Sequence, residues 1–160
     1  MRSATPADKP RVCLLMERMH EELLRLGGQV RPGQKTSAWV GRCFDLALDG
    51  AGAALVEERD GEVIGASVAV AAELPYDATA GERQAFGIGT YVDPSYRKYG
   101  VASALYEAMK AELRARGFDA YLGGCLPGNT AIQGVLERVG FEVTEVSVVC
   151  RLGGRSCPQS

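Results

Sequence analysis

The sequence has little histidine, little net charge and no long apolar run. Its one histidine, His20, has no second histidine with which to share a metal ion, and none of its five cysteines forms a CxxC pair. No apolar run approaches the roughly 20 residues that cross a membrane, and the first residues lack the apolar core of a signal peptide. We therefore expect no metal site, no disulfide framework and no membrane partner, with a cytoplasmic location as the default.

Charge and length limit the remaining classes of protein. The formal net charge is -2 at pH 7, whereas proteins that hold nucleic acid by neutralising its phosphates are basic, so no nucleic acid partner is expected. The 160 residues, of which 46% are apolar and 24% charged, suit one globular domain. We predict that this domain covers residues 1–152 and that residues 153–160 form a disordered tail.

Apolar residues recur with helical and strand spacing in alternation along the chain. Helical spacing predicts four helices, at about residues 10–26, 36–49, 100–116 and 129–139. Extended apolar runs predict strands at residues 2–5, 53–57, 63–71, 85–92, 119–125, 141–143 and 146–152. Asp60-Gly61 between two of these runs indicates a β-hairpin. The pattern is that of a mixed α/β domain.

Two glycines interrupt the predicted strand at 85–92. Gly87 and Gly89 lie two residues apart, and we therefore expect them on one face of the strand. Missing side chains there either widen a cleft for a ligand or mark a bulge, and both alternatives stay open.

The segment Arg97-Lys98-Tyr99-Gly100-Val101-Ala102 connects this strand to the next helix. The first N–H groups of a helix have no partner within the helix, and the helix dipole adds partial positive charge there. The N-terminus of a helix therefore binds anions. Arg97 and Lys98 add formal charge, and Gly100 lets a phosphate approach the backbone. Ligands of open α/β sheets favour the carboxyl ends of strands. We predict a pyrophosphate site, with an ordinary strand-to-helix connection as the alternative.

Several motifs, in order along the chain, carry a resemblance to a known family. Arg97, Gly100 and Ala102 fill the pattern R/Q-x-x-G-x-G/A, and residues 91–97 are similar to the strand end that precedes it. Asn129, Gly140 and Phe141 have the spacing of a late helix and its terminal Gly-Phe, and residues 2–8 are similar to an opening strand and helix cap. Over nearly its full length the chain resembles the GNAT superfamily of acetyl-coenzyme A-dependent N-acetyltransferases. The resemblance implies a mixed, mostly antiparallel central sheet of six to seven strands flanked by about four helices.

The resemblance also implies acetyl-coenzyme A (acetyl-CoA) as cosubstrate and no metal. By this resemblance, the backbone N–H groups of residues 98–103 and the Arg97 side chain hold the pyrophosphate of the cosubstrate. Tyr91 and Val92 lie beside its pantetheine arm. Asn129 either contacts the pantetheine or caps the late helix. The implied CoA-binding residues are Tyr91, Val92, Arg97, Lys98, Tyr99, Gly100, Val101, Ala102, Ser103 and Asn129.

The sequence departs from the family at the expected general acid. Many members place a tyrosine four residues before the terminal Gly-Phe, where this chain has Leu136. Tyr121, Cys125 or a water molecule is left to protonate the leaving thiolate. Tyr91 and Glu82 are the candidate catalytic residues, with a half-buried strand aromatic and a solvated loop carboxylate as the alternative interpretations.

The predicted function is transfer of the acetyl group of acetyl-CoA to a primary amine, by direct attack in a ternary complex. The favoured acceptor is a small-molecule amine or an amino acid derivative. No cysteine shows a base partner at a recognisable spacing, so an acyl-enzyme gains no support. Leu136 motivates one alternative, a noncatalytic acyl-CoA-binding or sensing module. The other is a protein acetyltransferase acting on α-amines or lysines, and the oligomeric state stays open, with a homodimer as one alternative.

Overall fold

The computed structural model describes residues 1–28, 33–72 and 83–144, which form one central sheet with helices on both faces. The order of the five described strands is β1-β2-β3-β4-β5, antiparallel from β1 to β4 and parallel between β4 and β5. The strands are β1 (Arg2–Ser3), β2 (Gly52–Arg59), β3 (Glu62–Ala71), β4 (Gln84–Val92) and β5 (Ala120–Leu122). The helices are α1 (Lys9–Arg25), α2 (Gln34–Leu46), α3 (Val101–Ala115) and α4 (Thr130–Arg138).

These elements confirm the predicted fold class, with fewer strands than the six to seven expected. Residues 141–144 form no regular structure, so the predicted strand at 141–143 is wrong. The predicted strand at 146–152 and the predicted tail lie outside the described residues. Within the described ranges, no helix is long and apolar enough to cross a membrane.

The sheet separates two apolar cores because residues of a strand alternate between its faces. In β2, Ala54 and Val56 pack in the core beneath α1 and α2, whereas Ala53 and Leu55 pack in the core beneath α3. Both α1 and α3 contribute residues at spacings of three and four, the pattern of an amphipathic helix. The buried stripes are Val12, Leu15 and Met16 on α1, and Val101, Leu105, Met109 and Leu113 on α3.

Asp8 links the N-terminal strand to the start of α1 by hydrogen bonds. Its carboxylate accepts hydrogen bonds from the Arg2 guanidinium at 2.8 and 2.9 Å, and from the backbone N–H and the hydroxyl of Thr5 at 2.7 and 2.8 Å. Arg2 also donates to Glu58 of β2 at 2.8 Å. The Arg2 hydrogen bonds, opposed by burial and assisted by Thr5, hold the pKa of Asp8 well below its usual range.

Replacing Asp8 by asparagine should lower the free energy of unfolding by about 1–2 kcal/mol at pH 7, mainly through the weakened bonds to Thr5. The exposed Arg2 adds little because solvent screens the pair. A carboxylate with a lowered folded pKa stabilises the protein above its unfolded pKa of about 4, and this stability is lost as pH falls toward the folded pKa. Denaturant unfolding should therefore show that the difference in free energy of unfolding between the unaltered protein and Asp8→Asn is smaller at pH 2 than at pH 7. Glu58→Gln, which alters the other partner of Arg2, is the control and should lower the free energy of unfolding by less. If the loss in Asp8→Asn were the same at both pH values, this account would be contradicted.

Candidate active site

The central sheet divides at the carboxyl end of β4. β5 pairs with β4 only at Gln84–Phe86, which lie opposite Ala120–Leu122. β4 continues to Val92, and among the described residues it pairs there with β3 alone. Within the described parts of the chain, one edge of residues 87–92 therefore has no neighbouring strand. Its backbone groups before Val92 can pair with a ligand, whereas the Val92 carbonyl oxygen accepts from Arg97 at 2.9 Å. We call the gap between β4 and β5 the split.

A β-bulge in β4 lies beside the split. Val68 of β3 pairs with Gly89, and the next residue, Ala69, pairs with Gly87. Ile88 is therefore an extra residue between the two pairs, and such an insertion bends the strand and reverses the facing of the residues after it. The bulge coincides with the point at which β5 leaves β4.

Because of this bulge, Gly87 and Gly89 face opposite sides of the sheet, and the prediction that they share one face is wrong. A Cβ atom on Gly87 would lie 3.1 Å from the Tyr121 hydroxyl oxygen, on the α3 side. A Cβ atom on Gly89 would lie 2.6 Å from the methyl carbon of Met19 on α1, closer than packing allows. A side chain at position 89 would therefore displace the ends of the Met16 and Met19 side chains, and Gly87 leaves room for a tyrosine.

Residues 97–103, here called the 97–103 segment, form a turn and the start of α3. Lys98 and Gly100 have φ values of 69° and 79°, in the left-handed region. The first bond of the helix runs from the Ala104 N–H to the Gly100 carbonyl oxygen at 3.0 Å, and the N–H groups of residues 98–103 have no acceptor within the described parts of the chain. A Cβ atom on Gly100 would meet no atom within 4 Å. Unpaired donors facing open space at a helix N-terminus form a site for an anion.

The Arg97 side chain turns back from this segment toward β4 and α1. Its Nε donates to the Val92 carbonyl oxygen at 2.9 Å, and its Nη2 donates to both carboxylate oxygens of Glu22 at 2.9 and 3.0 Å. The guanidinium carbon lies 4.9 Å from the centre of the Tyr91 ring, and the Tyr91 hydroxyl donates to Glu22 at 2.6 Å. The Arg97 charge is thus paired with a carboxylate of α1 in this structure.

The pKa values of this group follow from its contacts. Burial raises the pKa of Glu22, but the hydrogen bonds from Arg97 and Tyr91 outweigh burial, and the net pKa is lowered. Burial, followed by the bond to Glu22, raises the pKa of Tyr91 to about 12. At neutral pH Glu22 is therefore a carboxylate and Tyr91 a neutral phenol. Tyr91 acts here as a hydrogen-bond donor, not as a base.

Four hydroxyl groups meet on the α3 side of the split. Ser67 and Thr90, on neighbouring strands, have hydroxyl oxygens 2.8 Å apart. Burial raises the pKa of both Tyr106 and Tyr121, and Thr90 lowers it by less, so the Thr90 hydroxyl lies near both phenols. Burial, followed by the neighbouring Tyr106, raises the pKa of Tyr121 to about 12. Tyr121 therefore carries its proton at neutral pH, next to Gly87 where β4 and β5 diverge.

Phe141, which follows α4, places the C-terminal end of that helix next to Tyr121. The Phe141 ring contacts the Tyr121 ring edge-on at 5.2 Å, and the Phe141 N–H donates to the Leu136 carbonyl oxygen at 2.9 Å. Asn129 precedes α4, but its side chain makes no capping hydrogen bond, so the structure does not support the capping alternative. Tyr121 is thus one of two tyrosines beside the helix end where Leu136 replaces the family's tyrosine, and the other, Tyr106, contacts Phe141 at 5.7 Å.

Comparison with known proteins decides the family. Residues 16–141, which include the split and the 97–103 segment, match the model of the acetyltransferase (GNAT) family. The chain belongs to the GNAT family. The resemblance inferred from its motifs is thereby confirmed.

Solved structures share the fold of this GNAT chain at low sequence identity. A mutant form of the BH1408 protein from Bacillus halodurans has a TM-score of 0.77 at 19% identity, covering 94% of this chain and 98% of that one. AAC(6')-Iy in complex with the bisubstrate analogue CoA-S-monomethyl-acetylneamine has a TM-score of 0.73 at 21% identity, covering 98% and 97%. The aminoglycoside 6'-N-acetyltransferase AAC(6')-IG from Acinetobacter haemolyticus has a TM-score of 0.69 at 16% identity, covering 95% and 97%. None of the curated proteins matches the chain in sequence.

Within this GNAT fold, the predicted CoA-binding residues from Tyr91 to Ser103 lie along the end of β4 and the start of α3. Glu82, a candidate catalytic residue, lies outside the described residues, and its role stays a prediction. Four residues of the site were missed by sequence reasoning, namely Glu22, Ser67, Thr90 and Tyr106. The described ranges contain no cluster of three or more His, Cys, Asp or Glu side chains that could hold a metal ion.

Proposed function

We propose that this GNAT protein transfers the acetyl group of acetyl-CoA to a primary amine of a small molecule. One observation carries the proposal, namely the row of unpaired N–H donors of the 97–103 segment at the mouth of the split. A diphosphate suits these donors because it presents several oxygens to a helix N-terminus. Gly100 leaves the space in front of them open. The residues present therefore fit the diphosphate of CoA.

The split fits the rest of the CoA arm. Pantetheine contains two amides, and an extended chain with amides can pair with a free strand edge as an added strand does. The edge of residues 87–92 offers such pairing up to Val92, whose carbonyl oxygen is already bonded to Arg97 beside the 97–103 segment. This arrangement brings the thioester toward the bulge, where a backbone N–H can bind the oxygen that becomes negative during transfer.

Acetyl transfer proceeds in this proposal by direct attack of the amine. The amine nitrogen forms a bond to the thioester carbon, the carbon–sulfur bond breaks, and the amine loses a proton. Burial raises the pKa of Cys13, Cys43 and Cys125, so these thiols are poor nucleophiles at neutral pH. An acyl-enzyme on these cysteines is therefore disfavoured.

The amine must reach the thioester without its proton. An alkyl ammonium ion has a pKa near 10.4, so a base or a desolvating channel has to remove a proton first. Glu82 is the candidate base. Tyr91 lines the site, but its hydroxyl donates to Glu22 and its pKa is raised, so we assign it a binding role and no proton abstraction.

Tyr121 is our candidate donor to the leaving thiolate in place of the residue missing at Leu136. A thiol has a pKa near 8.5, below the value of about 12 for Tyr121, so the phenol stabilises the thiolate by a hydrogen bond without full proton transfer. Burial raises the pKa of this phenol, whereas the nearby Ser67 and Thr90 lower it by less, and their own hydroxyl oxygens are 2.8 Å apart. The proton lost by the amine finally neutralises the thiolate.

The acceptor class is inferred from the fold shared with the aminoglycoside acetyltransferases AAC(6')-Iy and AAC(6')-IG. Aminoglycosides carry amines on a small polar molecule, and we propose the same broad class of acceptor here. Release of the CoA thiol should be followed with a panel containing an aminoglycoside, a polyamine, an amino acid ester and short peptides. We expect release that requires both the protein and a small amine.

The same panel separates the rival functions. Binding of CoA in calorimetry without release on any acceptor would identify a noncatalytic acyl-CoA module. Acetylation of peptides alone, measured by their intact mass, would identify a protein acetyltransferase. Absence of CoA binding would contradict the proposal as a whole.

A further inference from the structure

We infer that Glu22 is a positioning residue for CoA, because it holds Arg97 so that the 97–103 segment presents its backbone donors to the diphosphate. The inference rests on the proposed function. It assigns a task to a residue of α1, an element that contributes nothing to the signature of residues 97–102.

The first step is the geometry of Arg97. Its Nε is bonded to the end of β4 and its Nη2 to Glu22, so three elements meet at one guanidinium. A planar guanidinium that makes several fixed bonds restricts the backbone to which it is attached. The next residue, Lys98, adopts a left-handed backbone conformation that a free chain rarely visits. Fixing Arg97 therefore lowers the entropy lost when the segment closes around an anion.

The second step is the anchoring of Glu22 itself. Tyr91 donates to one carboxylate oxygen of Glu22 at 2.6 Å, and the Arg97 guanidinium lies over the Tyr91 ring. Glu22 and Arg97 are each a little over one-third exposed. The carboxylate thus has two fixed donors, one before and one within the 97–103 segment. Because no base or acceptor amine is required for these contacts, their effect should appear in CoA binding itself.

The alternative is that Glu22 competes with the diphosphate for Arg97. In that case Arg97 would leave Glu22 when CoA binds, and removing the carboxylate would tighten binding. Our inference predicts the opposite sign. The direction in which the Kd for CoA changes when Glu22 is replaced therefore distinguishes positioning from competition.

The decisive variant is Glu22→Gln, with Glu21→Gln as its matched control. Glu21 lies next to Glu22 on α1 and lines the same surface groove, so the control removes the same charge from the same region. In calorimetry with CoA, Glu22→Gln should raise Kd about tenfold, the size of one lost charge-assisted hydrogen bond at a partly exposed site, whereas Glu21→Gln should leave Kd within about twofold. An unchanged or lower Kd for Glu22→Gln would overturn the inference.

A second comparison tests whether the effect concerns the diphosphate. Acetyl-pantetheine carries the reacting thioester but no diphosphate. In Glu22→Gln, kcat/KM for acetyl-CoA should fall about tenfold while kcat/KM for acetyl-pantetheine changes little. An equal fall for both would indicate general distortion and would also overturn the inference.

Arg97→Lys gives an independent variant. Lysine keeps the charge but cannot bond Val92 and Glu22 together, so we expect the same loss of CoA affinity as in Glu22→Gln. Retained affinity in Arg97→Lys would indicate that charge alone matters and would contradict positioning. If the unaltered protein binds no CoA, the proposed function itself fails, whereas binding by the unaltered protein with no effect of Glu22→Gln refutes this inference only.

Discussion

Replacing Gly100 by aspartate should abolish the binding of CoA while the fold survives. The new carboxylate would stand in the open space before the unpaired N–H groups of the 97–103 segment, where the proposed diphosphate lies. Two like charges 4 Å apart near a protein surface repel by about 4 kcal/mol, or about a thousandfold in Kd. Salt screens part of this repulsion, so we expect Kd in calorimetry to rise by at least about 100-fold.

Gly61→Asp is the matched control for this variant. Gly61 has a φ of 81° in the hairpin between β2 and β3, and a Cβ atom there also meets no atom within 4 Å. Both substitutions add one carboxylate and force a left-handed backbone, which costs about 1–2 kcal/mol of stability. Their melting temperatures should therefore fall alike, and only Gly100→Asp should lose CoA. Similar affinities in the two variants would refute the anion site.

Replacing Tyr121 by phenylalanine should lower kcat by about 10- to 100-fold, the size of one hydrogen bond to charge that develops in the transition state. The substitution removes the hydroxyl beside Gly87, which we propose as the donor to the leaving thiolate. Affinity for CoA should change less than about twofold, since a hydrogen bond made mainly in the transition state affects turnover and not ground-state binding. Pre-steady-state measurement of thiol release gives the rate of the chemical step directly.

Tyr106→Phe is the control for Tyr121→Phe. Tyr106 lies on α3, near Thr90 and against the Phe141 ring at 5.7 Å, so its loss disturbs the same hydroxyl cluster. Each variant should lose about 1 kcal/mol of stability. A fall in kcat confined to Tyr121→Phe supports the donor role. Equal falls would assign the effect to the cluster as a whole, and full activity of Tyr121→Phe would remove Tyr121 from the mechanism.

Local chemistry made most of the fold predictable. The Asp60-Gly61 pair predicted the β2–β3 hairpin because few residues tolerate the turn between two strands, and both residues have positive φ values there. The proposed anion site could also be inferred from the sequence, because its glycine, its cations and its place between a strand and a helix are contiguous in the chain. Gly100 has the left-handed backbone for which glycine is suited.

Register and distant contacts made the rest unpredictable. The facing of Gly89 depends on the bulge at Ile88, and alternation in one strand does not show how its neighbour pairs with it. Glu22 and Arg97 are 75 residues apart, so their ion pair exists only once α1 packs against the end of β4. The predicted 119–125 strand extends only over Ala120–Leu122, because its partner β4 bends away at the bulge.

The split has a consequence for the behaviour of the protein without its cosubstrate. An unpaired strand edge is a template for association between chains, and most proteins keep such edges short, charged or covered. Among the described strands, none pairs with one edge of residues 87–92, and the sequence of this part of β4 is uncharged. A ligand that fills the split also covers this edge, and mass action then stabilises the filled form. Saturation with CoA should for this reason protect the protein from aggregation during purification and storage.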